Sequence, residues 1–332
     1  MAGKLRIGMI GCGGNARGHG GRLTKIPEVQ IAAITDVSED ALGAFRKTVP
    51  GAENLPAYSD YTKMLKEIEL DAVEISTPHT LHFEQIMACL EKGLHVLCEK
   101  PLVCTVDHAK KVCEKAKSSK KHLMISYQRH FMGPYVYAQR AVASGQLGEP
   151  TFLTTWQSQN WMEATKRWRG DPKLSGGGQL NDSGSHMIDV LLWISGLQPK
   201  DVFAFVDNRG ANVDAVSAIS VQFTNGASGN ISIIGDCVGP RFKVYEEILL
   251  WCKNGQLVIR DNQLFRRDGD AELFQVPPEG LPRDNNPDQA FVDLIYGRAP
   301  NVVPPECGLR VIQLTEGAWK SAETGKPVKV KT

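Results

Sequence analysis

The length, composition and charge of the chain are those of an ordinary globular protein. Its 332 residues are enough for two domains, and 42% hydrophobic with 23% charged residues is typical of a folded chain. Because 38 basic side chains balance 37 acidic ones, the chain lacks the electrostatic footprint of a nucleic-acid-binding protein. No apolar run approaches a membrane span and no signal peptide is visible. We therefore expect no nucleic-acid or membrane partner and a cytoplasmic location.

The cysteines predict thiols rather than a metal centre. None of them forms a C-x-x-C pair, and the chain shows no export signal, so we expect reduced, mostly buried thiols and no bound metal. The eight are Cys12, Cys89, Cys98, Cys104, Cys113, Cys237, Cys252 and Cys307.

Strands and helices are predicted to alternate over the first 125 residues. The strands are expected at 5–10, 29–35, 71–76, 94–98 and 122–126. The helices are expected at 15–26, 38–47, 59–68, 79–92 and 105–118, with Ser38 as an N-cap. This alternation predicts an α/β domain with a parallel sheet and helices on both faces.

The second half of the chain has a different pattern. Helices are predicted at 135–144, 183–194, 288–296 and 306–322. Strands are predicted at 151–159, at 328–330 and repeatedly from 202 to 276, including 216–223, 228–234, 247–251 and 256–259. Asn225-Gly226 and Asn254-Gly255 are hairpin signals between apolar runs. The pattern predicts an α+β domain with a mostly antiparallel sheet.

The turn after the first strand carries the pattern of a dinucleotide-binding loop. It reads G-x-G-x-x-A, through Gly11, Cys12, Gly13, Gly14, Asn15 and Ala16. The glycines permit a tight turn and a close approach of the backbone to a pyrophosphate, to which the following helix presents unpaired N–H groups.

An acidic residue at the end of the second strand favours NAD over NADP. Asp36 lies 20 residues after Ala16, where a carboxylate accepts hydrogen bonds from the ribose hydroxyls and repels a 2′-phosphate. Neither residue 37 nor residue 38 is an arginine that could bind that phosphate. NAD is the expected cofactor, and NADP is less favoured.

Further motifs resemble those of the glucose–fructose oxidoreductase / inositol dehydrogenase / MocA (Gfo/Idh/MocA) family, over nearly the whole chain. The motifs are Ser76-Thr77-Pro78-His79-Thr80-Leu81-His82, Cys98-Glu99-Lys100-Pro101, and the stretch from Gly176-Gly177-Gly178 through Asp182 to His186. The resemblance implies a Rossmann domain followed by an α+β domain with a large open sheet, through which family members form dimers or tetramers. We expect the domains at residues 1–127 and 128–332, with the last helix a candidate to pack back on the first domain.

Three residues are predicted to carry the chemistry. Oxidation of an alcohol needs a base with a pKa near neutrality, and His186 is the candidate. It also needs a group that holds the reacting oxygen, and Lys100 is the candidate because it follows a parallel strand at the end where such sheets bind ligands. Asp182, four residues before His186, either orients it, binds a substrate hydroxyl, or only caps the helix. The family resemblance assigns a catalytic role to all three.

The resemblance also implies the rest of the cofactor site. Glu99 is expected near the cofactor ribose. Thr77, Pro78 and His82 are expected to border the nicotinamide half; the alternative for His82 is that it only caps its helix. Whether Pro101 follows a cis peptide bond is left open by the sequence.

Substrate contacts are expected from the second domain. Gln128 belongs to a Gln128-Arg129-His130 stretch where relatives often have Asn-Arg-Arg, which leaves the substrate rim open. The aromatic faces of Trp161 and Trp168 suit a sugar ring, with Arg169 binding its hydroxyls; the alternative is packing in the core or at a subunit contact. Asp189, one turn after His186, is expected to be structural.

These features together predict an NAD-dependent oxidoreductase that transfers a hydride between nicotinamide and a secondary alcohol or ketone carbon of a sugar, sugar derivative or cyclitol. Two alternatives stay open. One is a redox-neutral NAD-dependent glycosidase or eliminating enzyme that oxidises the ring transiently, and the other is a non-catalytic NAD-sensing Rossmann protein. The expected assembly is a homodimer or homotetramer formed through the sheet of the second domain.

Overall fold

The computed structural model describes residues 3–240 and 243–331. Residues 1–2, 241–242 and 332, which the predicted domains include, lie outside the described residues. The chain forms two compact units. Unit 1 comprises the residues up to 103, 107–126 and 285–306, and unit 2 comprises 104–106, 127–284 and the residues from 307 onward.

Unit 1 is built on a six-stranded, wholly parallel sheet. Its strands are β1 (Leu5–Ile10), β2 (Val29–Thr35), β3 (Ala57–Tyr58), β4 (Ala72–Ile75), β5 (His95–Cys98) and β6 (Leu123–Ile125), in the spatial order β3-β2-β1-β4-β5-β6. This order places the switch point between β1 and β4, where Rossmann folds bind their dinucleotides. Every residue of β4 is buried, as expected for a parallel strand covered on both faces.

Unit 2 is built on a nine-stranded, mostly antiparallel sheet. Its strands are β7 (Pro150–Gln159), β8 (Pro199–Asp207), β9 (Val216–Phe223), β10 (Ser228–Ile234), β11 (Val244–Cys252), β12 (Gly255–Arg260), β13 (Gln263–Asp268), β14 (Phe274–Gln275) and β15 (Val328–Lys329). Their order is β14-β13-β12-β11-β7-β10-β9-β8-β15, and among the described residues only β7 and β10 are paired in parallel. In β9, buried and exposed residues alternate, so one face of the strand is packed and the other is open.

Ten α-helices accompany the sheets within the described residues. They are α1 (Gly14–Leu23), α2 (Glu39–Thr48), α3 (Tyr61–Glu67), α4 (His82–Glu91), α5 (Val106–Ser119), α6 (Gly133–Ala143), α7 (Pro172–Ser175), α8 (Gly184–Ser195), α9 (Pro287–Ile295) and α10 (Pro305–Thr324). The predicted N-cap is confirmed, since the Ser38 hydroxyl accepts a hydrogen bond from the Ala41 N–H. None of the helices in the described part of the chain is long and apolar enough to span a membrane.

The fold prediction is confirmed, with local differences. The predicted helix 79–92 is divided into a 3-10 turn, His79–Leu81, and α4. The hairpin between β12 and β13 was not predicted because its turn contains no glycine: Asp261 and Asn262 take positive φ angles of 47° and 64°. These are the angles that a two-residue hairpin turn requires, and Asp and Asn tolerate them better than most side chains.

Candidate functional site

The predicted dinucleotide loop has the geometry needed to hold a pyrophosphate. Gly11 has φ +95°, and a Cβ there would lie 2.7 Å from the Ser76 carbonyl oxygen, so only glycine fits. At Gly13 and Gly14 a Cβ would meet no atom within 4 Å, which leaves room for a ligand to approach the backbone. Gly13 is the N-cap of α1 and provides no side-chain cap, so the first N–H groups of this helix can bind an anion.

Asp36 is fixed beside this loop. One carboxylate oxygen accepts a hydrogen bond from the Cys12 N–H at 2.8 Å, and the other accepts one from the Ser38 N–H at 2.9 Å. The Cys12 and Ala16 side chains are buried, so Cys12 offers a ligand only its backbone. Val37 is exposed and no cation occupies position 37 or 38, which suits a ribose with a free 2′-hydroxyl.

His82 joins two segments of the predicted nicotinamide half. The ring is fully buried. Its Nδ1 lies 2.8 Å from the Pro101 carbonyl oxygen, and its Nε2 lies 3.0 Å from the Thr77 carbonyl oxygen. Burial lowers the pKa of His82. Through these two contacts the ring holds the two segments together, while the expected position of His82 beside the nicotinamide half stays a prediction. The Thr77 hydroxyl donates to the Gln85 side chain at 2.6 Å, and the Lys100–Pro101 peptide bond is cis.

Lys100 lies just beyond the carboxyl end of β5. Open parallel sheets bind ligands at this edge. It is 8% exposed, and its backbone N–H is 3.3 Å from Oε2 of Glu99. The Glu99 side chain is buried, and its Oε1 lies 3.0 Å from Nε2 of His19. The expected contact of Glu99 with the ribose therefore stays a prediction, while its contact with His19 is a finding.

A buried ionic network around His19 was not predicted. Nδ1 of His19 lies 2.7 Å from the Asp288 carboxylate, and Nε2 of His19 lies 3.8 Å from the Glu74 carboxylate. Asp288 also forms an ion pair with Arg22. Although burial alone lowers the pKa of His19, the Glu74 and Asp288 carboxylates raise it well above its usual value. Burial raises the pKa of Glu74 to about 7.

In unit 2, the Asp182 carboxylate is held by two donors. Its Oδ2 accepts hydrogen bonds from Nε1 of Trp161 at 3.0 Å and from Nε of Arg169 at 2.7 Å. The N-cap of α8 is Ser183, so Asp182 is not the helix cap that the sequence left as an alternative. The two donors fix the direction of the carboxylate immediately before the helix that carries His186.

The aromatic residues differ in what they offer a substrate. Trp161 is buried and acts as a hydrogen-bond donor to Asp182 rather than as an open platform. Trp168 is half-buried, and the Arg169 guanidinium stacks on its ring at 4.3 Å. His186 is half-buried in the first turn of α8, with its ring edge-to-face with Tyr127 at a centroid distance of 5.7 Å.

Gln128 directly follows Tyr127, whose ring contacts His186. It is exposed and lines an open pocket of about 440 Å³ together with Arg129, Lys243, Glu246 and others. Neither Asp182 nor His186 is among the described residues that line this pocket.

A second unpredicted residue, Asp214, shapes the glycine-rich segment before Asp182. Its carboxylate accepts hydrogen bonds from the backbone N–H groups of Gly178 and Leu180, and from Nε1 of Trp319, at 2.8 to 3.1 Å. A Cβ at Gly178 would lie 1.9 Å from the Asp214 carbonyl oxygen, so this close approach requires glycine. Although these donors lower the pKa of Asp214, its burial outweighs them and raises it.

Comparison with known proteins agrees with this architecture. The family model described as an oxidoreductase family with an NAD-binding Rossmann fold matches residues 5–127, and that of the GFO/IDH/MocA C-terminal domain matches residues 135–258. Among solved structures, a levoglucosan dehydrogenase in complex with NADH and levoglucosan is similar in fold, with a TM-score of 0.86 at 19% identity, covering 99% of this chain and 100% of that one.

Two curated relatives are similar over nearly their full lengths. The rhizopine catabolism protein MocA of Rhizobium meliloti is 27% identical, over 95% of this chain and 94% of its own. The D-glucoside 3-dehydrogenase of Escherichia coli is 24% identical, over 98% of this chain and 97% of its own. Since the two family models together cover most of the chain, and cover both a dinucleotide loop and the sheet that follows it, the chain belongs to the Gfo/Idh/MocA family of NAD(P)-binding oxidoreductases.

Proposed function

We propose that this chain is an NAD-dependent dehydrogenase or reductase that acts on a secondary alcohol or ketone carbon of a sugar, sugar derivative or cyclitol. The observation that carries the proposal is the Asp182 carboxylate, held by Trp161 and Arg169 directly before the helix of His186. A fixed carboxylate just before the helix that carries an imidazole suits hydroxyl recognition and proton transfer.

The cofactor would be held by unit 1. The open backbone at Gly13 and Gly14 and the N-terminus of α1 would bind the pyrophosphate, and Asp36 would bind the ribose hydroxyls. A bound nicotinamide supplies the carbon that exchanges a hydride with the substrate. The fixed carboxylate of Asp36 favours NAD, since it would repel a 2′-phosphate.

The chain's own residues handle the proton and the oxygen. In the oxidative direction, His186 removes the hydroxyl proton of the substrate, and it returns this proton in the reductive direction. The Lys100 ammonium holds the reacting oxygen and stabilises the negative charge that develops there. Asp182 orients the ring through a neighbouring hydroxyl, while its ion pair with Arg169 keeps the carboxylate in place.

The names of relatives support a ring-shaped polyol as the substrate. Besides the glucoside dehydrogenase, the myo-inositol 2-dehydrogenase of Thermotoga maritima is 29% identical over 68% of this chain. Trp168 and the polar groups around Asp182 would bind such a ring. The homodimer or homotetramer formed through the nine-stranded sheet, and the cytoplasmic location, stay predictions.

The test is NADH absorbance with purified protein, NAD and a panel of cyclitols, aldoses and glycosides, with the sugars analysed in parallel. We expect NADH in proportion to an oxidised sugar, and its loss in Lys100→Ala but not in Lys110→Ala, a change at an exposed lysine. Glycoside cleavage without net NADH would instead establish the redox-neutral reaction. NAD binding without turnover of any panel member would favour an NAD sensor.

A further inference from the structure

Three buried side chains with metal-binding atoms meet in unit 2, one helical turn from His186. They are His130 in a 3-10 helix (Gln128–Phe131), Asp189 in α8 and Cys307 in the first turn of α10. One ligand atom from each lies within 4.8 Å of the other two. The three residues are only 3%, 2% and 4% exposed.

The carboxylate of Asp189 is only partly used by the protein. Its Oδ2 lies 2.8 Å from Nε2 of His130. Its Oδ1 is buried, and no residue in the ranges 3–240 and 243–331 forms a hydrogen bond with it. A buried carboxylate oxygen without a partner costs free energy, and such an atom calls for an explanation such as an ion.

The imidazole is held in the orientation that this pair requires. The ring of His130 stacks on Trp193, one turn after Asp189 on α8, at a centroid distance of 3.9 Å and an angle of 23°. A ring that is already immobilised loses little conformational freedom when it binds a metal.

The donor set is the one that zinc prefers. Thiolate, imidazole and carboxylate are all zinc ligands, with bond lengths of about 2.0 to 2.3 Å that place neighbouring donor atoms about 3.3 to 3.6 Å apart. Nε2 of His130 and Oδ2 of Asp189 would separate by about half an ångström to reach this spacing. One carboxylate oxygen, one imidazole nitrogen and the sulfur make three protein donor atoms.

The charges of the site also suit a divalent cation. One thiolate and one carboxylate neutralise Zn²⁺, so the filled site is uncharged, as burial requires. Nη2 of Arg310 lies 3.7 Å from the Cys307 sulfur, and a nearby guanidinium favours the thiolate that a metal needs.

We propose that His130, Asp189 and Cys307 form a structural zinc site. The site would tie α8, which carries His186, to two segments distant in the chain. It revises the expectation of a metal-free protein, which was drawn from the spacing of the cysteines and the lack of an export signal. The proposal does not depend on the proposed reaction.

The experiment is a cobalt titration of the full chain after treatment with a chelator, since Co²⁺ reports thiolate ligation by its charge-transfer absorption. We expect saturation at one equivalent, displacement of the cobalt by zinc, and a higher Tm with zinc. Cys307→Ser should lose the charge-transfer band and weaken binding by at least about tenfold, because even the loss of an outer-sphere partner has an effect of that size. Cys252→Ser is the matched control, because Cys252 is a thiol of the same unit outside the site, and it should behave like the parent.

Asp189→Asn keeps the test decisive if Cys307→Ser does not fold. This near-isosteric variant should retain a thiolate–cobalt band but bind cobalt at least about tenfold more weakly. The absence of a saturable thiolate–cobalt band in the parent protein would overturn the proposal. A band of equal strength in Cys307→Ser would also overturn it, since the metal would then bind at another thiol.

Discussion

Glu74 offers a sharp test of the buried network in unit 1. Its side chain is buried; Oε1 accepts a hydrogen bond from the Ser76 hydroxyl, and Oε2 has no hydrogen-bond partner among the described residues. Glu74→Gln keeps the shape and the acceptor but removes the charge. Because the new amide N–H₂ would be equally unpaired at every pH, its cost cancels when two pH values are compared.

The expected effect follows from the raised pKa. Burial raises the pKa of Glu74 from 4.5 to about 7, so between these values the folded protein holds a proton that the unfolded chain has released. The free energy of unfolding therefore falls as pH rises through this window. At about 1.4 kcal/mol per pKa unit, the loss relative to Glu74→Gln is about 2 to 3 kcal/mol between pH 5 and 8.5.

Hydrogen exchange of peptides from β1, β4 and β5, corrected for intrinsic rates, measures the stability of unit 1 separately from that of unit 2. The parent protein should lose stability with rising pH more steeply than Glu74→Gln. Glu84→Gln, at an exposed position of α4, removes the same charge and should follow the parent. If all three proteins show parallel curves, Glu74 does not change its protonation in this window and the reasoning is wrong.

Three further predictions concern the reaction. Asp36→Ala should raise affinity for NADP relative to NAD by about tenfold or more, measured by fluorescence titration; an unchanged ratio would place the ribose contact elsewhere. His186→Ala should lower kcat/KM by about 10²- to 10⁴-fold and remove the near-neutral limb of the pH–rate profile, whereas an unaltered limb would exclude it as the base. Trp161→Phe removes one donor to Asp182 and should lower kcat by about tenfold with little change in Tm, so full activity would show that Arg169 alone orients the carboxylate.

The elements of the fold were predictable because their signals are local. β9 and β10 are rich in apolar and β-branched residues, and the turn signal Asn225-Gly226 lies between them, so their bounds were predicted correctly. The return of residues 285–306 to unit 1 was not among the predictions. An amphipathic helix such as α9 shows which of its faces is buried, but its sequence does not show which sheet will cover that face.

The site was predictable only where one segment supplies the whole signal. Gly11, Gly13 and Asp36 follow from a single strand–turn–helix pattern, and the structure brings Asp36 onto the loop as that pattern requires. The Asp182–Arg169 ion pair joins two segments whose sequences carry no sign of each other, so Arg169 was expected to bind substrate rather than Asp182.

The burial of His19 was predictable from helical spacing. Ala16, His19, Gly20 and Leu23 are the buried residues of α1, so the histidine lies on the inner face of the helix. An ionisable side chain on such a face needs a buried partner of opposite charge if it is to stay charged, because a buried charge without one costs several kcal/mol. Partners from β4, from the segment after β5 and from α9 meet that demand, and Glu99 among them is the residue before Lys100. The predicted oxygen-binding lysine thus adjoins a network whose ionisation depends on pH near neutrality, so the activity and the stability of unit 1 should be measured over the same pH range.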